Sequence, residues 1–489
     1  MRRHYIRVMK LDPDICYQAV LTRDARFDGR FFVGVSTTGI YCRPVCPVKK
    51  PKRRNCSFFS SAAAAESAGF RPCLRCRPEL APGNSSIEAN ARLAQRAASL
   101  IEDGILDGLR LSGLADRLGV TDRHLRRVFR AEFGTSPVRF AQTYRLLLAK
   151  RLLTDTRLSI IEVAMASGFA SLRRFNALMK EHYRMSPTGL RREAGGGEGS
   201  DAITLQLGYR PPLAWKELIA FLGDRAIEGV ESVAEGSYRR SIGLKASGRL
   251  HSGWIEVSPV HGRPTLEVRL DGALVKVIPQ ILAGVKRLFD LSSHPMEIAS
   301  VLGTLAQKRP GLRVPGAVDG FEMAVRAILG QQITVKAART IAARFAAVFG
   351  DPVQTPFQEI RHLFPEAEKI AGCRASDIAE LGIVSQKAES IVALARAVVD
   401  GTLHLEPGVD VDETVKALMN LPGVGTWTAQ YVAMRALTWP DAFPHTDYGV
   451  MKAMNEKNSA KVLAAAKKWR PWRAYAVMHL WASLKGEKK

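Results

Sequence analysis

Four cysteines stand in a pattern that can do chemistry: Cys42-Arg-Pro-Val-Cys46 and, 26 residues further on, Cys73-Leu-Arg-Cys76. Two short cysteine pairs across such a gap match a tetrahedral structural zinc site. The alternative is a chance cluster of buried thiols. Cys16, Cys56 and Cys373 lack this context and read as ordinary buried thiols. A zinc ion with four thiolates carries a formal charge of about −2. Yet this centre sits among Lys49, Lys50, Lys52, Arg53, Arg54, Arg71, Arg75 and Arg77. A mere fold staple needs no such surroundings. A thiolate held ionised by zinc is a nucleophile at neutral pH. Beside a DNA backbone it would be repelled by ordinary phosphodiesters and could best attack an uncharged one.

The elements around it must come from a large, basic chain. The 489 residues predict three or four domains, and 46% apolar with 24% charged residues excludes disorder or a fibrous repeat. The net charge of +24 and pI of about 10.0 point to a polyanion. No run of about 18 apolar residues exists to span a membrane. The basic Met1–Lys10 segment is followed by no apolar stretch, so a signal peptide is not expected and the cytoplasm is the expected setting. Residues 1–200 hold 35 basic and 18 acidic side chains, so +17 of the charge lies there. Gly195-Gly196-Gly197-Glu198-Gly199-Ser200 reads as a flexible linker, and Ala81-Pro82-Gly83-Asn84-Ser85-Ser86 as a weaker break.

Residues 88–192 contain a duplication with a period near 50. Leu111 to Leu125, then Arg126-Arg-Val-Phe129, ends at Ser136-Pro137; Leu158 to Phe175 repeats it and ends at Ser186-Pro187. Each copy predicts an apolar helix, a tight turn at Gly119 or Gly168, and a helix rich in arginine. That is the form of a helix-turn-helix, whose second helix enters the major groove. Arg123, His124, Arg126, Arg127, Arg173 and Arg174 are the candidate DNA contacts.

In the second half, Leu421-Pro-Gly423-Val-Gly425-Thr-Trp427 has the form of a helix-hairpin-helix. Its glycines let backbone amides at a helix N-terminus meet a phosphate. The plain alternative is a glycine-containing helix turn with no ligand. Asp447 follows 22 residues after Gly425.

These motifs carry three resemblances. Thr37 to Cys46 with Gly69 to Cys76 resembles the N-terminal domain of the Ada adaptive-response proteins, over roughly residues 10–80. That likeness implies that Cys42 takes a methyl group from a DNA methylphosphotriester while Cys46, Cys73 and Cys76 stay as zinc ligands. It places DNA contacts on Thr38, Lys49 and Arg71, whereas Pro47 stands where the family can carry a basic residue. Methylation would take the centre from about −2 to −1, easing repulsion by phosphates and raising DNA affinity. The two helix-turn-helix copies resemble the AraC-type DNA-binding domain. A methyl acceptor ahead of such a domain implies a transcriptional activator working with RNA polymerase.

The hairpin with Asp447 is similar to the helix-hairpin-helix DNA glycosylases. Tyr209-Arg-Pro-Pro-Leu-Ala-Trp215, Gly320 to Gln331, and Trp469 to Trp481 narrow this to the AlkA type, 3-methyladenine DNA glycosylase II. That resemblance implies release of alkylated bases, with Asp447 beside the sugar and Phe221, Trp427, Tyr431 and Trp481 around the flipped base. Each aromatic alone reads more readily as core packing, and only their joint match to the family shifts this. Gly423 and Gly425 would meet the backbone. Gln332 occupies a position where the family can place an apolar wedge. The carbonyls of Met419, Leu421 and Val424 would hold a monovalent cation. Bifunctional relatives carry a lysine where this chain has Trp427, so simple base release without strand cleavage is expected. No Pro-Cys-His-Arg motif of the alkylguanine methyltransferases is present, so repair at guanine O6 is not expected.

The expected fold is multidomain and mainly α with α+β parts. It comprises a zinc α+β domain (1–87), a double helix-turn-helix (88–193), a linker (194–201), an AlkA-like α+β subdomain (202–290) and an all-α glycosylase domain (291–489). Double-stranded DNA, both alkylated and promoter, is the expected partner, and the chain is expected to be a monomer with no membrane association. The alternative function is a transcription regulator whose second half only binds DNA.

Overall fold

The structure, a computed structural model, describes residues 12–81, 92–107, 109–193, 202–246, 248–406 and 408–485. Met1–Lys10, the glycine linker and most of the weaker break therefore lie outside the described residues. Among those described, no helix is long and apolar enough to cross a membrane.

The first unit is a four-stranded sheet in the order β3-β1-β2-β4: β1 (Phe32–Val35), β2 (Ile40–Cys42), β3 (Cys56–Phe59) and β4 (Arg71–Pro72). β1 pairs antiparallel with β2 and β3, and β4 runs parallel to β2. Helices Pro13–Thr22 and Ala62–Ser67 accompany the sheet. Asp12 and Ser61 start them by accepting backbone N–H groups of the first turn.

The second unit is wholly helical. Its repeated pairs are Leu111–Arg117 with Asp122–Phe133, and Ile160–Ala166 with Leu172–Tyr183. Gly119 and Gly168 adopt φ of 68° and 77° between the members of each pair, a left-handed turn that favours glycine. Thr121 and Ser171 cap the two arginine-rich helices, and Ser159 forms a capping box with Glu162. A 19-residue helix, Pro137–Asp155, joins the pairs; Ser136 caps it and Pro137 opens it.

The third unit is an antiparallel sheet of five strands, β5 (Ile203–Gly208), β6 (Glu231–Ala234), β7 (Ser237–Ala246), β8 (Arg249–Pro259) and β9 (Thr265–Leu270), in the order β5-β9-β8-β7-β6. Its inner face packs with helix Ile278–Leu288 and residues out to Leu291 in one apolar core. Helix Trp215–Gly223 leaves this unit toward the fourth, where its Phe221 joins a core built mainly of C-terminal helices. The fourth unit is helical throughout, with Gly320–Leu329, Val335–Phe349, Ser385–Val399, Val411–Met419, Thr426–Arg435, Tyr448–Ala453 and Arg473–Lys485 as its main helices.

Buried ions tie the units together. Between the third and fourth, Arg240 reaches Glu322 at 2.6 Å and Arg326 reaches Glu231 at 2.8 Å. Arg326 also donates to the Arg225 carbonyl at 2.6 Å, which fixes the end of the helix bearing Phe221. Between the first and second, Lys150 of the joining helix reaches Glu79 at 2.9 Å and donates to the Cys73 carbonyl at 3.2 Å. Arg77 meets Asp155 at 2.6 Å. The next residue of that helix, Arg151, donates to the Gln206 carbonyl on β5. The half-buried pair Arg287–Asp103 at 2.8 Å and the exposed pair Arg117–Glu406 at 2.9 Å also join the helix-turn-helix unit to the enzyme-like half.

Lys150 and Glu79 are both almost fully enclosed. Removing one ion of such a pair leaves the other without a counter-charge. Lys150→Ala should therefore lower the stability of the first half by about 3–5 kcal/mol, read as a fall in thermal midpoint. A Glu79→Gln/Lys150→Met double variant should recover most of the loss.

Cys16 and Cys56 are buried as expected, but Cys373 is not. It sits half-exposed just past the short helix Ala367–Ala371, its thiol directed back to the Lys369 carbonyl.

Candidate active site and metal centre

The sheet of the first unit brings the cysteine pairs together. Cys42 ends β2 opposite Val33, and Cys73 directly follows β4, whose pairing with β2 sets Tyr41 against Pro72. All four sulfurs lie within 4.8 Å of one another, with Cys46 and Cys73 at 4.0 Å. All are free thiols and all are buried. Zinc–sulfur bonds of about 2.3 Å in a tetrahedron place sulfurs about 3.8 Å apart. The quartet thus fits a zinc ion with only a slight contraction.

Crowding makes the four thiols share their protons. Hydrogen bonds with Cys46 and Cys73 push Cys42 up, the bond with Cys42 pulls Cys46 and Cys73 down, and burial pushes Cys76 up. The sulfurs also differ in their backbone partners. Arg43 N–H donates to Cys76 Sγ at 3.3 Å. Burial raises Cys16 to about 11, so it stays a thiol at neutral pH.

Thr38 is exposed in the turn joining β1 and β2, Arg71 lies on β4 with its N–H on the Gly39 carbonyl at 2.8 Å, and Lys49 is exposed after Cys46. One cation went unnoticed in the sequence. Arg23 donates to the carbonyls of Pro47 at 3.0 Å and Val48 at 3.3 Å, bringing a guanidinium to the stretch where Pro47 replaces a basic residue. Only the folded chain shows this, because 24 residues separate the two.

In the second unit Arg123, Arg126 and Arg127 are exposed on Asp122–Phe133, with His124 half-buried, and Arg173 and Arg174 are exposed on Leu172–Tyr183. Arg126 is engaged by Asp122 at 2.5 Å one turn earlier, and Arg127 contacts His124 at 3.1 Å.

In the enzyme-like half, the hairpin joins helix Val411–Met419 to helix Thr426–Arg435. Gly423 adopts φ 71°, and a Cβ there would approach Ser390 Oγ to 2.4 Å. Gly425 begins the second helix with no side chain over its first amides. Those N–H groups are left for a ligand.

Asp447 caps helix Tyr448–Ala453 by accepting from Val450 N–H at 2.9 Å. Its other bonds come from two indoles: Trp427 Nε1 to Oδ2 and Trp481 Nε1 to Oδ1, each at 2.8 Å. Trp427, Tyr431, Trp481 and Phe221 then surround a cavity of about 780 Å³ that Asp447 also lines. Phe221 and Trp481 lie parallel at 6.2 Å, and Trp427 and Tyr431 at 5.3 Å. The structure therefore brings together every aromatic singled out in the sequence.

It adds two cations that were not anticipated. Arg225 lies 3.7 Å over the Phe221 ring, and Arg435 lies 5.1 Å from Phe221 and 5.6 Å from Tyr431. Arg435 also donates to the Tyr431 hydroxyl at 2.8 Å. Although burial opposes it, the cations Arg435, Arg225 and Arg326 pull the Tyr431 hydroxyl below its ordinary value. Spacing gave a partial signal: Arg225 and Arg435 each lie four residues beyond a named aromatic. Gln332 is exposed at φ 57° on the loop between Gly320–Leu329 and Val335–Phe349.

Geometry of this kind defines a DNA-directed chain with a four-cysteine metal centre and a base-excision fold, and the comparisons agree. Residues 15–79 match the metal binding domain of Ada, 114–193 a helix-turn-helix domain, 204–319 the AlkA N-terminal domain, and 325–470 the HhH-GPD superfamily of base excision DNA repair proteins. A probable bifunctional transcriptional activator/DNA repair enzyme AlkA from Mycobacterium tuberculosis is 38% identical over 489 residues, covering 97% of each chain. DNA-3-methyladenine glycosylase 2 of Escherichia coli (strain K12) is 36% identical over 275 residues, 56% of this chain and 95% of that protein. The bifunctional transcriptional activator/DNA repair enzyme Ada of the same organism is 39% identical over 142 residues, 29% of this chain and 38% of that protein. The chain belongs to the family of bifunctional transcriptional activator/DNA repair enzymes that join an Ada-type metal domain to an AlkA-type glycosylase.

Proposed function

We propose that this chain senses DNA alkylation through Cys42, activates transcription in response, and hydrolyses the N-glycosidic bond of alkylated bases such as 3-methyladenine. The observation that carries the enzymatic part is a carboxylate, Asp447, fixed by two indole N–H groups on the wall of an aromatic cavity. The units act as the five segments with boundaries at residues 87, 193, 201 and 290.

Alkylation at purine N3 or N7 makes the base cationic and a good leaving group. Once the nucleotide is flipped out, Trp427 and Trp481 stack on the base, their N–H edges being turned to Asp447. Phe221 and Tyr431 already face guanidiniums, so cation–π attraction for a charged base falls mainly to the two indoles. The C1′–N bond breaks with its electron pair going to the base. Asp447 stabilises the oxocarbenium sugar, water adds to C1′, and its proton leaves through Asp447 to solvent. Gly423 and Gly425 let the hairpin amides grip a phosphate, while the carbonyls of Met419, Leu421 and Val424 would hold a monovalent cation. Since Trp427 stands in place of an amine, no Schiff base forms. Product DNA should show no nicks without added lyase, on a denaturing gel; abundant nicking would overturn this monofunctional reading.

In the first unit, zinc supplies the charge that keeps four thiolates deprotonated. Cys42 attacks the methyl carbon of a methylphosphotriester. The carbon–oxygen bond breaks and its electron pair stays on the oxygen, restoring a phosphodiester. Thr38, Lys49 and Arg71 grip the backbone there, joined by Arg23. Arg123, Arg126, Arg127, Arg173 and Arg174 serve promoter DNA, with RNA polymerase as protein partner and the chain acting as a monomer. Incubation with methylated DNA, scoring released bases and protein mass together, tests both halves at once. A pure regulator would release no base.

A further inference from the structure

A nucleotide turned out of a duplex leaves a slot in the base stack, and the slot closes again unless something fills it. This inference rests on the glycosylase reading above. The loop expected at the slot carries Gln332 at its tip, an amide that must shed water to lie between apolar base faces. The stretch leading to Gln332 is held in place by side-chain hydrogen bonds. Gln331 Nε2 donates to the Gly423 carbonyl at 3.0 Å and Thr428 Oγ1 at 2.8 Å. Lys387 Nζ donates to the carbonyls of Leu329 at 2.9 Å and Gln331 at 2.7 Å. The loop is thus pinned to the hairpin.

Three exposed large apolar side chains line the same cavity, Val335 at 43% and two that adjoin residues singled out above. Ile333, next to Gln332, is 37% exposed, and Tyr448, next to Asp447, is 80% exposed. Tyr448 is the most exposed of the large apolar side chains among the described residues. A lone exposed tyrosine needs no explanation. This one opens the helix that Asp447 caps, so its backbone is fixed relative to the carboxylate. It also shares the cavity rim with the loop that approaches the slot. We propose that Tyr448 stacks on a base bordering the vacated slot while Ile333 fills the slot beside Gln332. The apolar work expected of one wedge residue is divided between two elements.

The test compares single-turnover base release from two duplexes carrying one 7-methylguanine, the first with the lesion paired and the second with it in a one-nucleotide bulge. A bulged nucleotide already lies outside the stack and leaves no slot. With full-length protein in excess, Tyr448→Ala should lower the paired-to-bulged rate ratio about tenfold. Ile333→Ala should lower it by a smaller factor, and Tyr448→Phe, which keeps the ring, should hold the ratio near wild type. A ratio unchanged in Tyr448→Ala, or equal losses on both duplexes, would overturn the proposal. Wild-type protein releasing no base from either duplex would instead sink the glycosylase reading.

Discussion

Asp447→Asn protein will bind alkylated DNA within a few-fold of wild type and release its bases about 10³-fold more slowly. The charge is the first reason. An amide cannot offer a negative oxygen to an oxocarbenium sugar or take up the proton of the attacking water. The second reason is local and comes from the indoles. Both oxygens of Asp447 accept an indole N–H, and Oδ1 accepts Val450 N–H as well. Asparagine has one accepting oxygen and a donating amide, so one indole must face another donor. That mismatch costs about 1–3 kcal/mol and will turn Trp427 or Trp481 away from the base. Trp481→Phe separates the two effects, since it removes one donor and leaves the carboxylate. It should cost about tenfold in release, as expected for a single lost hydrogen bond to a charged group. Single-turnover release alongside a binding isotherm reads both, and full activity in Asp447→Asn would sink the mechanism.

Cys42→Ser protein will take up no methyl group from methylphosphotriester DNA, while Cys16→Ser and Cys56→Ser proteins will each gain one per chain. Whole-protein mass measures this directly. Burial raises the pKa of the Cys16 and Cys56 thiols, so they offer little thiolate at neutral pH. Within the quartet, the Arg43 amide draws charge from Cys76. Cys76→Ser is the informative comparison: it too weakens metal binding but leaves the acceptor sulfur in place. Methyl transfer to a Cys42→Ser chain that still holds one zinc would refute the acceptor assignment. Because uptake lowers the negative charge of the centre, the methylated wild-type protein should bind DNA more tightly, with the gain shrinking as salt is raised.

Much of this was legible in the sequence because the motifs are local. CxxxC and CxxC spacing, the repeated Gly turns and the Leu-Pro-Gly-Val-Gly run each depend on residues within one or two turns of chain. The α+β character of the third unit came only through the resemblance, and its five-stranded order is visible only in the folded chain. What the sequence hid is long-range. Nothing near Trp427 or Trp481 announces that both indoles will converge on one carboxylate 20 and 34 residues away. Arg23 beneath Pro47, Gln331 on Gly423 and Arg326 on Arg225 are likewise pairings made by packing. Cys373 was misread because the lack of metal-ligand spacing says nothing about distance from the surface.

The joining helix has a consequence for how the molecule comes apart. Lys150 and Arg151 are adjacent, almost fully enclosed, and turned to different units, one to the metal domain and the other to the first strand of the enzyme-like half. Chains of several domains often melt in steps, each unit on its own. Here, opening any one unit strands a buried cation in another. Heating should therefore give fewer calorimetric transitions than there are units, and excised fragments should melt below the temperature at which the same segments melt in the whole chain. The divisions seen along the sequence are boundaries of ancestry more than of cooperativity.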